Sequence, residues 1–129
     1  MKAVQIDSHG GPEALNYRDV PDPTPGSGEA VVDIQAVGVN FTDTYSRAGV
    51  NPVAALPWTC GVEAAGVVRS VGTGVTEVSP GDEVAFCTVP GTYAEQVLAP
   101  AWRLIKRPSG LDAKSGAAAI LQGMTAHYL

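Results

Sequence analysis

Residues 38–66 read GVNFTDTYSRAGVNPVAALPWTCGVEAAG. The segment begins as a short helix of polar and aromatic residues and closes on the glycine-rich start of a strand. Asn40 stands in the N-cap place, Asp43 follows three residues later where a capping-box acid lies, and Gly49 supplies the C-terminal stop. On a helix, Asn40, Asp43 and Arg47 share one face, and Phe41 and Tyr45 share an adjacent one. Two readings of this spacing stay open. In the structural one Asn40 caps the helix and Asp43–Arg47 is a routine i, i+4 pair worth about 0.3 kcal/mol. In the functional one the Asn40 amide and the Tyr45 phenol line a cleft and meet a ligand's carboxamide and ring.

Outward from this stretch the chain is β-rich. Fifteen glycines and ten prolines break it into brief alternating runs. Strands are expected at 2–7, 15–18, 29–39, 61–71, 83–86, 93–99 and 102–106. Residues 9–15 (HGGPEAL) form a tight turn, and 20–28 (VPDPTPGSG) form a stiff proline-rich connection. Beyond Pro108 the composition shifts to LDAKSGAAAILQGMTAHYL, an alanine-rich helical segment expected to break near Gly123. The expected division is therefore a β body over 1–108 and a helical segment over 109–129.

A length of 129 residues makes one core and not two. Hydrophobic residues at 45% and charged residues at 16% describe an ordinary globular chain. A net charge of −5, with the acids scattered, argues against nucleic acid as a partner. The apolar runs are too short and too broken by Gly and Pro to span a membrane, and the N-terminus lacks a signal-peptide pattern. Cys60 and Cys87 are widely separated and outside any C-x-x-C pattern, so they read as small buried apolar residues of a reducing, cytoplasmic protein.

Several familiar motifs are missing. Gly72-Thr73-Gly74 imitates the start of G-x-G-x-x-G, but residue 77 is glutamate and the neighbours are two strands, so a hairpin turn is expected. No P-loop, H-E-x-x-H or G-x-S-x-G occurs. His9 and His127, the two histidines, have no metal-ligating partner in sequence and read as solvated or capping residues.

Seven patterns occur in one order along the whole chain: HGGPEAL, GVNFTDTYSRAG, LPWTCGVEAAGVV, VGTGV, PGDEVAF, GTYAEQV and LQGMTAHYL. In that order they resemble the zinc-independent quinone oxidoreductases of the medium-chain dehydrogenase/reductase superfamily. The resemblance implies a mainly β fold with terminal helices, a partly open GroES-like β-barrel. Zinc-dependent relatives carry cysteine where this chain has Asn40 and histidine where it has Val62. Neither residue here holds Zn²⁺, so no zinc is expected.

The resemblance further implies hydride transfer from NADPH to a quinone or an activated alkene. It places Asn40, Tyr45 and Thr125 near the nicotinamide, with Gln122 and Gly123 lining the same cleft. Tyr45 and the position of Asn51 belong to the substrate pocket. Many relatives have a second tyrosine where Asn51 stands, which leaves the substrate open between quinone and enone. The family's Rossmann domain is absent from these 129 residues, so weak or no NADPH binding and no turnover are expected of them alone. If the segment that returns to this domain in the family covers a sheet edge or apolar surface, the missing C-terminal half leaves that surface open, and a homo-oligomer or marginal stability is expected. Two other readings remain: an enoyl reductase domain of polyketide-synthase type, and a non-catalytic GroES-like binding or assembly module.

Overall fold

A computed structural model describes all 129 residues. Eight strands and two helices appear along the chain. They are β1 (Lys2–Ile6), β2 (Asn16–Asp19), β3 (Glu29–Gly38), α1 (Phe41–Ala48), β4 (Trp58–Thr59), β5 (Glu63–Val71), β6 (Glu83–Cys87), β7 (Gln96–Pro100), β8 (Ile105–Lys106) and α2 (Ala113–Tyr128). They form two antiparallel sheets, ordered β2-β1-β4 and β7-β3-β5-β6-β8. The segment before β7 joins them: Ala3 bridges Ala94, and Val4 N–H donates to the Tyr93 carbonyl at 2.8 Å. The sheets stay open, which matches the expected partly open barrel.

Alternation in the central strands makes two different layers. Ala64 and Val68 of β5 and Val84 and Phe86 of β6 enter the main core with Ala30, Val32, Val97 and Leu104. Their neighbours Ala65 and Ala85 face the other way and meet Ala117 of α2, with Ala36, Ala113 and Ile120 packed beside them. Small side chains on this second face let the helix lie close to the sheet. Gly116 continues the close approach, since a Cβ there would stand 3.6 Å from the Cβ atoms of both Ala65 and Ala85.

Strand β3 serves both layers. Ile34 packs on the main core, whereas Ala36 packs on the α2 face. Two residues an even step apart reach opposite faces because the register with β5 shifts between Ile34 and Ala36. A β-bulge of this kind resets which side chains point where.

Four expectations need correction. Helix α2 runs unbroken through Gly123, because alanine-rich flanks carry one glycine at a modest propensity cost. Residues 101–103 form a 3-10 turn, so only Ile105–Lys106 of the expected 102–106 strand is extended. The strand expected from Tyr93 begins at Gln96, the preceding segment being held by isolated bonds to β1 and Cys60. Gly72–Gly74 is a turn, but it opens a long connection from Val71 to Glu83 rather than a tight hairpin. No helix is long and apolar enough to cross a membrane.

Candidate functional site

Glu63 begins β5 on the α2 face, two residues before Ala65, and is fully buried. A buried carboxylate needs hydrogen-bond donors to offset lost hydration. It has two: Asn40 Nδ2 donates to Oε2 at 2.8 Å, and the backbone N–H of Leu121 in α2 donates to Oε1 at 2.7 Å. Its side chain occupies the space beside Gly38. A Cβ on Gly38 would fall 1.9 Å from Oε2 and 2.5 Å from Cδ, so only glycine fits opposite this acid. One residue thereby ties the start of α1 to the middle of α2 across the edge of the sheet.

Asn40 completes the junction from the other side. Its Oδ1 accepts from Gln122 Nε2 at 2.9 Å, 82 positions away in sequence. The other end of the Gln122 amide lies 3.1 Å from Glu63 Oε1 and 2.9 Å from the Ala118 carbonyl. Glu63, Gln122, Gly38 and Val39 also line an open groove of ≈ 370 Å³ with Ala36, Val37, Lys114 and Ala118. Asn40 and Gln122, expected to share a cleft, do meet here.

The other expected residues are placed differently. Tyr45 is about half exposed, at 49%, on the outer part of α1, and no hydrogen bond joins it to Asn40. Asn51 folds back onto the same helix: its N–H donates to the Tyr45 carbonyl at 3.2 Å and its Nδ2 to Thr42 Oγ1 at 3.2 Å. Thr125 is exposed and its Oγ1 donates to the Leu121 carbonyl at 2.8 Å. Gly123 is exposed mid-helix, and a Cβ there would meet nothing. The helix break that was to gather Gln122, Gly123 and Thr125 is not formed. Instead Gln122 and Thr125 lie one turn apart, and Gln122 alone reaches Asn40.

Beneath α1 lies a second polar cluster. Asp43 is buried, and its Oδ2 accepts from the Asn40 N–H at 2.8 Å and from the Tyr93 hydroxyl at 2.7 Å. The capping acid is therefore in place. The Asn40 side chain, however, is drawn away to Glu63 and Gln122 and leaves the cap to Asp43. The expected Asp43–Arg47 pair does not form either; Arg47 Nε donates to the Gly10 carbonyl at 3.2 Å. His9 and Gly10 close the C-terminal end, with Gly10 N–H donating to the Arg47 carbonyl at 3.0 Å. Gly49 there has φ of 81°, the left-handed cap conformation.

Burial dominates the titration of this cluster. It raises Tyr93 well above an ordinary phenol, and the hydrogen bond to Asp43 raises it further. Burial likewise pushes the Cys60 thiol up to about 11, with the Asp43 charge adding to the effect. Cys87, close to Glu63 and with its Sγ 3.6 Å from Met124 Sδ, is also raised, first by burial and then by that carboxylate. Both cysteines are free and buried, the packing role expected of them.

Glu63 and Tyr93 are the residues that sequence reasoning passed over. The signal for Glu63 was present: a lone acid inside the apolar run GVEAAGVV is a buried charge in need of a partner. Tyr93 gave no comparable signal, because its partner lies 50 positions away.

Comparison with known proteins adds a family context. Residues 26–109 match the model of the alcohol dehydrogenase GroES-like domain. A quinone oxidoreductase of Pseudomonas aeruginosa is 43% identical over 129 residues, covering 99% of this chain and 40% of that protein. A 2-haloacrylate reductase of Burkholderia sp is 43% identical over 135 residues, covering 100% of this chain and 40% of that protein. Among solved structures, the Escherichia coli quinone oxidoreductase complexed with NADPH superposes with a TM-score of 0.96 at 34% identity, covering 99% of this chain and 40% of that one. The chain thus spans about 40% of the length of the curated relatives it matches.

Proposed function

The chain belongs to the alcohol dehydrogenase GroES-like domain family, and from that premise we propose that it forms the N-terminal catalytic part of an NADPH-dependent quinone oxidoreductase. The observation that carries this reading is the Asn40–Glu63–Gln122 junction, in which Asn40 is tied to two residues that line an open groove, Glu63 and Gln122. Buried carboxylate, glycine cradle and helix all serve to hold one asparagine in place, which is the pre-organisation expected of a residue that meets a ligand.

The residues fit the nicotinamide end of NADPH. Asn40 and Gln122 present hydrogen-bonding amides, and Tyr45 presents an exposed aromatic ring on the same helix that Asn40 begins. Thr125, one turn beyond Gln122 on α2, and Gly123, the residue next to Gln122, complete the proposed surface for the ring or the acceptor. NADPH, when bound, supplies the hydride, and a quinone or activated alkene takes it. The protein's part is to hold donor and acceptor face to face and to keep water from between them.

The reading is zinc-free. Asn40 and Val62 offer an amide and an isopropyl group where a metal would need thiolate and imidazole. Asn40 is moreover committed to Glu63. The 2-haloacrylate reductase among the relatives favours an electron-poor alkene as the second candidate acceptor.

The test is consumption of NADPH by the polypeptide that carries these residues, with 1,4-benzoquinone and 2-chloroacrylate compared side by side and with chelator present. Quinone-dependent oxidation that survives chelation supports the reading. A preference for the haloacrylate moves the assignment to alkene reduction, and loss of activity on chelation removes the zinc-free claim.

A further inference from the structure

We propose that Cys87 and Met124 form a two-sulfur site for a soft monovalent cation of the Cu(I) class, held between the end of β6 and the exposed half of α2. The proposal is independent of the cofactor reading.

Spacing brings the two sulfurs together. Helix α2 lies on Ala85 of β6 through Ala117. Along a strand the same face returns after two residues, and along a helix after seven. Cys87 stands two residues beyond Ala85, and Met124 seven beyond Ala117. The contact that begins between two alanines therefore ends between two sulfurs, with Cys87 Sγ 3.6 Å from Met124 Sδ. Both side chains line a cavity of ≈ 210 Å³, whose other walls are Thr88, Trp102, Arg103 and Ile105.

The walls select the ion. Thiolate and thioether are soft donors, and two of them suffice for Cu(I), whereas a closed zinc site takes four ligands. No carboxylate or imidazole lines the cavity. Arg103, its one charged wall, is turned to Thr88, donating to the carbonyl and, at 2.8 Å, to Oγ1, and its guanidinium stacks 4.7 Å from the Trp102 ring centre. Both sulfurs are thus left without a competing donor from the arginine. Burial and the Glu63 carboxylate disfavour the Cys87 thiolate, and the Arg103 charge favours it. On binding, the cation takes the place of the thiol proton, which leaves to solvent. A monovalent ion and a thiolate together carry no net charge, so a buried cavity resists them far less than it resists a divalent ion.

The geometry needs little adjustment. With metal–sulfur bonds of about 2.3 Å, as for thiolate on zinc, sulfurs 3.6 Å apart subtend an angle of roughly 100° at the ion. Met124 is 52% exposed and unbranched, so it can draw back toward the linear arrangement that a two-coordinate ion prefers. Cys87, 6% exposed, is the fixed partner. Loading fastens α2 beyond Gln122, where every residue is exposed.

The experiment uses the polypeptide that carries these residues, reduced and without oxygen. It is titrated with Cu(I) against a chromogenic Cu(I) chelator, and separately with Zn²⁺. Cu(I) should bind with sulfur alone around it in X-ray absorption, and amide exchange around Met124 should slow on loading. Cys87→Ser should abolish this binding, and Cys60→Ala should leave it unchanged. Met124→Leu, which keeps the side chain's size at an exposed position, should weaken it at least about tenfold, the loss that even an outer partner of a metal ligand carries. Wild-type affinity in Met124→Leu would reduce the site to an ordinary buried thiol and overturn the proposal, whether or not the Cys87 variant folds. Nitrogen or oxygen around the copper, a loss that follows Cys60→Ala, or Zn²⁺ bound as tightly as Cu(I) would overturn it as well.

Discussion

The two helices are held in opposite ways. Helix α1 has eight residues and is fastened along its length by polar side chains: Asp43 to Asn40 N–H and Tyr93, Arg47 to Gly10. Helix α2 has sixteen residues and is fastened by close packing of Gly116 and Ala117 and by one backbone N–H given to Glu63. From Gln122 onward every α2 residue is exposed. The shorter helix thus depends on a few bonds of high individual weight, and the longer one on shape. Asn40 belongs to the first helix and Gln122 to the second, so the site joins a rigid support to a looser one.

If that contrast holds, breaking α1 costs most. Asp43→Ala leaves Asn40 N–H and the Tyr93 hydroxyl without an acceptor in a buried place, and we expect a loss of about 3 kcal/mol in urea unfolding. A loss below about 1 kcal/mol would erase the distinction between the helices.

Alkaline titration tests the same cluster. Cys60 and Tyr93 are both protonated in the fold and both raised, from ordinary values of 9.0 and 10.0. A raised folded value means that the associated stability is complete below the ordinary value and is lost as pH climbs through the folded one. Stability should therefore fall from about pH 9 upward, through the Cys60 value of about 11 and on toward the higher one of Tyr93. Cys60→Ala should remove the first part of that decline in melting curves taken across the range, and an unaltered profile would show that the thiol takes no part.

The corresponding cut at α2 is smaller. Asp112 caps that helix by accepting from Ser115 N–H at 2.8 Å, and Asp112→Ala should cost about 1 kcal/mol. Smallest, and opposite in sign, is Gly123→Ala. With open space at the Cβ and helical backbone on both sides, it should stabilise by about 0.7 kcal/mol. Calorimetry checks the gain, and NADPH titration of the same variant tells whether a ligand needs the bare backbone there. Weaker binding in a more stable protein would restore Gly123 to the site.

What the sequence made legible follows the same contrast. Helix α1, its Gly49 stop and most strands could be read because their signals are local: caps, turns and alternation. Only the family resemblance put Asn40 and Gln122 in one cleft, and their side chains are in contact. The supports behind it were hidden. Glu63 becomes intelligible once β3, β5 and α2 are placed together, and Asp43 chooses Tyr93 over Arg47 because of a fold contact 50 positions distant. The expected break at Gly123 failed for the converse reason: a local weakness was outweighed by the helix-forming residues on either side.

The bulge between Ile34 and Ala36 can be seen as a matter of counting. Up to Ile34 the even residues of β3 belong to the main core, and from Ala36 they belong to the helix side, so Gly38 falls opposite Glu63 because the strand has slipped by one. Deleting Gln35, or inserting one residue after Ala36, would restore the parity and point position 38 into the opposite layer. Asn40, two steps further on, would then begin its helix with its amide turned away from the acid. Changes in pairs would leave the address intact. Length variation between Ile34 and Asn40 should therefore be tolerated only in even steps.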